Sequence, residues 1–224
     1  MKPDLLLLAL MAVLLGPVVP ANAQQPPATA QASLTVVNAI TGDKNVFVSF
    51  DGQSIWPPGF TAGQSTGAVI FPSGTKQLKI ECDGFAATEA KLDLPAGANC
   101  AMILFPGELV TDGPEKGKRR IGVFLPSPHQ AGSKDLKGKR WKAVLVGTSA
   151  SQEVEINGKK ILLTPRKSAE FTAPPGGVTV RHQNRDILGV APEEAGEYWV
   201  VVYPGDSGLQ AALLTHSPFK VPAG

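Results

Sequence analysis

Few stretches of this 224-residue chain carry residue types suited to covalent chemistry. The foremost is Gly205-Asp206-Ser207-Gly208, a run of the kind that can carry a serine nucleophile. Acyl transfer needs a base, an orienting acid and oxyanion donors around such a serine. No Ala-x-His-Cys string precedes it, and it joins Tyr203-Pro204 directly to the apolar Leu209–Thr215. A hairpin turn accounts for its Asp, its Ser and both glycines. His129, His182 and His216 are scattered, and Glu153/Glu155 and Glu193-Glu194 fall on outward strand faces or in turns. The Gly-rich stretches join strands with no helix after them, so none cradles a phosphate. Without a Cys-x-x-Cys or a His spaced as partner, a metal site has no support. The reading is no catalytic residue, no cofactor, no metal, and not an enzyme.

Three other groups of residues offer binding or cross-linking chemistry. Cys82 and Cys100 are an even pair, which in an oxidising compartment is expected to form one disulfide, the alternative being two buried thiols, since Cα separation decides between them. Charge is unevenly spread. Residues 24–112 carry four basic and eight acidic groups, net −4, whereas residues 113–224 carry sixteen and ten, net +6. Glu115 to Lys142 alone holds nine basic residues against Glu115 and Asp135. Lys118, Arg119, Arg120, Lys139, Arg140 and Lys142 are therefore the expected partner-binding stripe, extended by Lys159-Lys160 and Arg166-Lys167. The plainer alternative is solvated linker charge that blunts exposed strand edges. Trp56 and Phe60 flank the rigid Pro57-Pro58-Gly59 turn and are candidates for stacking on a sugar ring, or else for capping the core beneath the loop.

The elements that must position these groups are strands. Gly (24) and Pro (20) together make about a fifth of the chain, against a usual share of ~12%. That many helix breakers exclude a helical bundle, and 43% hydrophobic content excludes a wholly disordered chain. The segments 34–40, 45–52, 66–71, 75–84, 88–97, 99–107 and 119–128 are replayed in order by 141–147, 152–163, 169–171, 177–184, 186–196, 197–206 and 209–218. Asp51-Gly52 matches Asn157-Gly158, Phe105-Pro106-Gly107 matches Tyr203-Pro204-Gly205, and Ser127-Pro128 matches Ser217-Pro218. Within each copy apolar residues alternate at period two, as in half-buried antiparallel strands. Ala101–Phe105 and Tyr198–Tyr203 are apolar throughout, as expected where both faces are covered. The fold class expected is all-β, with two tandem Ig-like antiparallel β-sandwich domains after a cleaved signal peptide.

Lys2, the apolar run Leu5–Val19 and Ala21-Asn22-Ala23 have the make-up of that signal, with cleavage after Ala23. The organisation expected is signal peptide 1–23, flexible leader 24–31, first sandwich 32–128, linker 129–138 and second sandwich 139–224. The mature chain is expected to be exported, periplasmic or secreted, and to lack a transmembrane span.

At Leu34-Thr35-Val36-Val37-Asn38-Ala39, the Asp51-Gly52 hairpin, Pro72-Ser73-Gly74 and Leu92–Gly97, the chain resembles exported bacterial sandwich modules. One such group is a domain family of unknown function whose members are secreted or envelope-associated. Another is the PEGA-type module, to which Gly74–Phe85 is similar. The likeness runs over residues 33–107 and, more loosely, 141–206. It implies fold and location and carries over no catalytic residue. The function expected is a non-enzymatic binding or structural module of the cell envelope, contacting an anionic polymer or protein partner through the basic interdomain segment. Nucleic acid is not an expected partner. The alternatives are a carbohydrate-binding protein using Trp56 and Phe60, and a periplasmic chaperone-like two-sandwich protein.

Overall fold

The computed structural model describes residues 30–127, 129–130 and 138–216. The expected signal peptide, most of the leader and residues 131–137 of the expected linker lie outside them. The fold is all-β, built of four sheets packed face to face. The first half contributes β1 (Gln31–Asn38), β2 (Val46–Phe50), β3 (Gln53–Ser54), β4 (Val69–Pro72), β5 (Gly74–Cys82), β6 (Phe85–Ala86), β7 (Thr88–Leu94), β8 (Ala98–Leu109), β9 (Arg119–Phe124) and β10 (His129–Gln130). The second contributes β11 (Lys139–Leu145), β12 (Gln152–Ile156), β13 (Lys159–Leu163), β14 (Ser168–Phe171), β15 (Val178–His182), β16 (Arg185–Val190), β17 (Gly196–Gly205) and β18 (Gly208–His216).

Each half pairs an outer sheet with an inner one. The outer sheets run β3-β2-β5-β7 and β13-β12-β15-β16; the inner ones run β4-β1-β8-β9-β6 and β14-β11-β17-β18. Inside the expected linker, β10 pairs with Ala98 and Asn99 of β8. The expectation of antiparallel pairing holds for most neighbours. In each inner sheet, however, the first strand lies parallel to a long later one, β1 beside β8 and β11 beside β17. A long connection must cross from one sheet to the other before such a pair can form.

The repeat is visible in the hydrogen bonds themselves. Asp51 and Asn157 both take positive φ (50° and 51°) ahead of Gly52 and Gly158, as a tight hairpin with the strand's right-handed twist requires. The Asp51 amide donates to the Gln77 carbonyl, and the Gln77 amide donates back to the Asp51 carboxylate. Asn157 exchanges the same two bonds with Thr179. Register aligns Leu34 and Cys100 with Trp141 and Tyr198, pairs that face each other across the parallel strands. It also aligns Asn38-Ala39 with Leu145-Val146.

Three apolar cores hold the four layers. Leu34, Val36, Met102 and Leu104 meet Val46, Val48, Phe50 and Ile80 within the first sandwich. Trp141, Ala143, Tyr198 and Val200 meet Val154, Ile156 and Val180 within the second. The third core lies between the two inner sheets, where Val37, Ala101, Ile103 and Phe105 pack on Val144, Trp199, Val201 and Leu214. Successive side chains of β8 and β17 point to opposite faces, so each strand feeds two cores, and this is why neither alternates in polarity. A buried Val or Leu contributes roughly 1.5–3 kcal/mol. The seam thus joins the halves as an apolar sheet-on-sheet contact.

Candidate functional site

The expected disulfide is not formed: Cys82 and Cys100 are both buried free thiols. Cys82 ends β5 opposite Val46, whose amide bonds the Phe60 carbonyl that the buried Asn38 side chain also reaches. Cys100 pairs with Leu34, four residues back from Asn38 along β1. The two thiols therefore stand near opposite ends of one sandwich, about 13 Å apart along the strand direction, well past the reach of a bridge. Burial pushes both thiols above the usual cysteine range, with Asp83 adding to it at Cys82 and Asp93 at Cys100.

The basic residues do not form one stripe. Lys118 is ion-paired to Glu115 at 2.7 Å. Lys142 turns into the edge of the seam, 3.2 Å from the fully buried Glu197 carboxylate and 5.2 Å from the Trp199 ring centroid. The Trp199 indole N–H donates to the same carboxylate at 2.6 Å, and the ring meets Phe124 of the first sandwich edge-on. Lys139 and Arg140 open β11, Arg140 beside Glu197 across the parallel pair. Their strand runs on to Leu145, so they stand roughly 25 Å from the loop at 147–149.

That loop faces Arg119 and Arg120. A groove of about 460 Å³ opens where the two sandwiches meet, lined by Arg119, Arg120 and Glu108 from the first half and Thr148, Ser149 and Arg166 from the second. Its described lining holds three arginines and one acid, Glu108; Arg119 and Arg120 are neighbours on one strand, and Arg120 also lines a second depression with Glu89, Asp112 and Glu115. Close approach shapes its floor: a side chain on Gly122 would strike the Phe105 ring at 2.5 Å. Gly147, at φ 74°, lies between Pro106 and Pro204, so the matching Phe-Pro-Gly and Tyr-Pro-Gly strings converge beside it. Arg119 Nη1 donates to the Gly107 carbonyl at 3.2 Å, which steadies that guanidinium at the rim. Arg166 holds positive φ (59°) while its amide donates to the Leu145 carbonyl. A non-glycine residue kept in that region is a strained position worth a functional reading.

The remaining candidates are dispersed. Trp56 is 52% exposed whereas Phe60 is only 4% exposed and packs in the first core, so the two do not form one platform. Phe47, outside the expected set, is also exposed and lies against Gly59 of the same turn. Gly205-Asp206-Ser207-Gly208 is the β17–β18 hairpin, and Arg185 clamps it by donating to the Ser207 hydroxyl and the Leu209 carbonyl, each at 3.0 Å. His182 lines a shallow polar depression on the second outer sheet, where Lys160 pairs with Glu153 and Arg181 with Asp186. Among the described residues, no three His, Cys, Asp or Glu side chains are grouped to hold a metal ion. Nor is any helix there long and apolar enough to cross a membrane. The seam latch of Glu197, Lys142 and Trp199 has only Lys142 among the residues singled out from the sequence. Its one available signal was a carboxylate inside an otherwise apolar strand.

The fold and site define an all-β, two-sandwich protein with an arginine-lined groove between its halves. No protein-family model matches the chain, and no curated protein matches it. Among solved structures it is similar to the Bacillus anthracis TIE protein, at 13% identity over 81% of this chain and 51% of that one, with a TM-score of 0.21. The chain thus spans about half the length of that structure.

Proposed function

We propose that the chain is a non-enzymatic, exported binding module of the cell envelope that holds an anionic polymer or acidic partner in the interdomain groove. The observation that carries this reading is a groove lined by Arg119, Arg120 and Arg166 from two sandwiches, with Glu108 the one acid among the described residues of its lining; Arg120 is shared with a neighbouring depression that holds Glu89, Asp112 and Glu115. Guanidinium groups pair with carboxylates and phosphates through two parallel hydrogen bonds, which adds geometry to charge. The resemblance to exported sandwich modules supports the location. The test is retention of the exported chain, residues 24–224, on isolated envelope fractions. Retention should fall as salt screens the groove, and should be lost in the Arg119→Ser/Arg120→Ser/Arg166→Ser variant. Retention indifferent to both would remove the proposal.

A second reading is favoured by Trp56 alone. The Gly59 amide donates to the Trp56 carbonyl and the Asn45 side chain to the Pro58 carbonyl, so an exposed indole sits on a pre-ordered turn. Such a turn suits stacking on a sugar ring. A glycan that quenches Trp56 fluorescence, and fails to bind the Trp56→Ala variant, would support it.

A further inference from the structure

We propose that the partner in the groove is an extended acidic polypeptide, which adds as a strand to the open edge of β9 while its carboxylates lie on the arginines. This rests on the groove reading above and names the class of ligand. Strand β9 is paired along one side by β8. On its other side β6 pairs with Arg119 and Arg120 alone, and the Thr88 hydroxyl donates to the Ile121 carbonyl. The sheet ends there, and among the described residues no strand covers the edge beyond Ile121.

The direction of each backbone group follows from its neighbours. The Arg120 carbonyl and the Gly122 amide face Gly107 of β8, within 3.0 and 3.1 Å of where a Gly107 side chain would begin. The Ile121 carbonyl points the opposite way, to Thr88. Strand groups alternate, so the N–H and C=O of Val123 point outward like those of Ile121, into the open edge. An edge left with free donors and acceptors is a template for another strand. Ile121-Gly122-Val123-Phe124-Leu125 contains neither the Lys nor the Pro that commonly blunts such edges, and Pro126 closes it.

Charge selects what can pair there. Arg119 and Arg120 start the same strand, and Arg166 faces them across the groove. An added strand beyond Ile121 directs alternate side chains to the face that carries Arg120 and Gly122, the face lined by the groove. Those between them pass over Leu125, which is 49% exposed. A polysaccharide or polyphosphate would use the arginines and leave the Val123 amide unpaired.

The test uses the exported chain with a fluorescein-labelled heptapeptide alternating Glu with Val. Its companions are the same peptide N-methylated at the amides that would face β9, and polygalacturonate. The expectation is binding of the first peptide, a loss of about tenfold or more on N-methylation, weaker binding in Arg120→Ser and Arg166→Ser, and slowed hydrogen exchange at the Val123 amide. Equal binding of the two peptides, or binding of polygalacturonate alone, overturns strand addition and leaves the anionic groove standing. Failure of all three ligands overturns both.

Discussion

Asp51 and Asn157 lock the same hairpin in the two sandwiches, yet Leu34 and Cys100 of the first are Trp141 and Tyr198 in the second. The second copy stacks its two rings at 4.9 Å and anchors the Tyr198 hydroxyl on the Glu194 carbonyl. On the opposite faces of the same strands, Ser33 bonded to Asn99 occupies the place of Arg140 beside Glu197. What repeats is the set of contacts that fixes chain path: turn geometry, register and the parallel pair. What differs is the filling of each core and the polarity of the seam. The backbone path tolerates several fillings provided volume and hydrogen bonding are met.

The sharpest way to break this comparison is at the seam. Trp199→Ala should cost about 3–5 kcal/mol, because it opens a cavity between the inner sheets and takes a donor from the buried Glu197. Urea unfolding measures the cost. Trp56→Ala, at an exposed turn, should stay within about 0.5 kcal/mol. Equal costs would mean that the seam does not hold the halves together.

Next in size is Asn157→Ala, which loses a side-chain bond and puts alanine at positive φ, for about 2 kcal/mol. Gly147→Ala should cost about 1–2 kcal/mol at φ 74°, where a methyl group also presses on Pro106 and Pro204. It should loosen the groove as well, read as weaker retention on envelope fractions.

A smaller effect separates Asp51 from Asn157. The Gln77 amide bonded to the Asp51 carboxylate holds its pKa below the ordinary 3.8, with Lys76 adding to the shift. A lowered folded value means that this contribution is complete above the unfolded pKa and fades as pH falls through the folded one. Melting temperature should therefore drop below about pH 4 more steeply in the natural chain than in Asp51→Asn, whose turn then matches that of Asn157. Parallel curves would remove the carboxylate from the account.

The least perturbing test concerns the thiols. Unfolded, unreduced protein should titrate two thiols, and the native state should react slowly, because burial keeps both protonated and covered. No reactive thiol after unfolding would place a bridge between Cys82 and Cys100 and contradict their opposite positions in the sandwich.

Much of the strand inventory was legible because period-two alternation and turn residues are local signals. Val46, Val48 and Phe50 face the core from β2, and Asp51-Gly52 turns the chain as read. The continuous apolarity of Ala101–Phe105 even announced that both faces were covered. Its second cover, the other inner sheet, has no local signal. The candidate site was half legible. Arg119, Arg120 and Arg166 stand out as charge, but only packing selects them from Lys118, Lys139, Arg140 and Lys142.

By itself the sequence determined an all-β chain with two rounds of the same turns, since Gly, Pro and alternating apolar residues act on their immediate neighbours. Tertiary structure alone decided which groups meet. It set Cys82 and Cys100 at opposite ends of one sandwich, drew Lys142 to Glu197, and placed Arg166 across a groove from Arg119 and Arg120. Such meetings depend on strand register and on which sheet faces which, both set by cores that gather residues far apart in the chain.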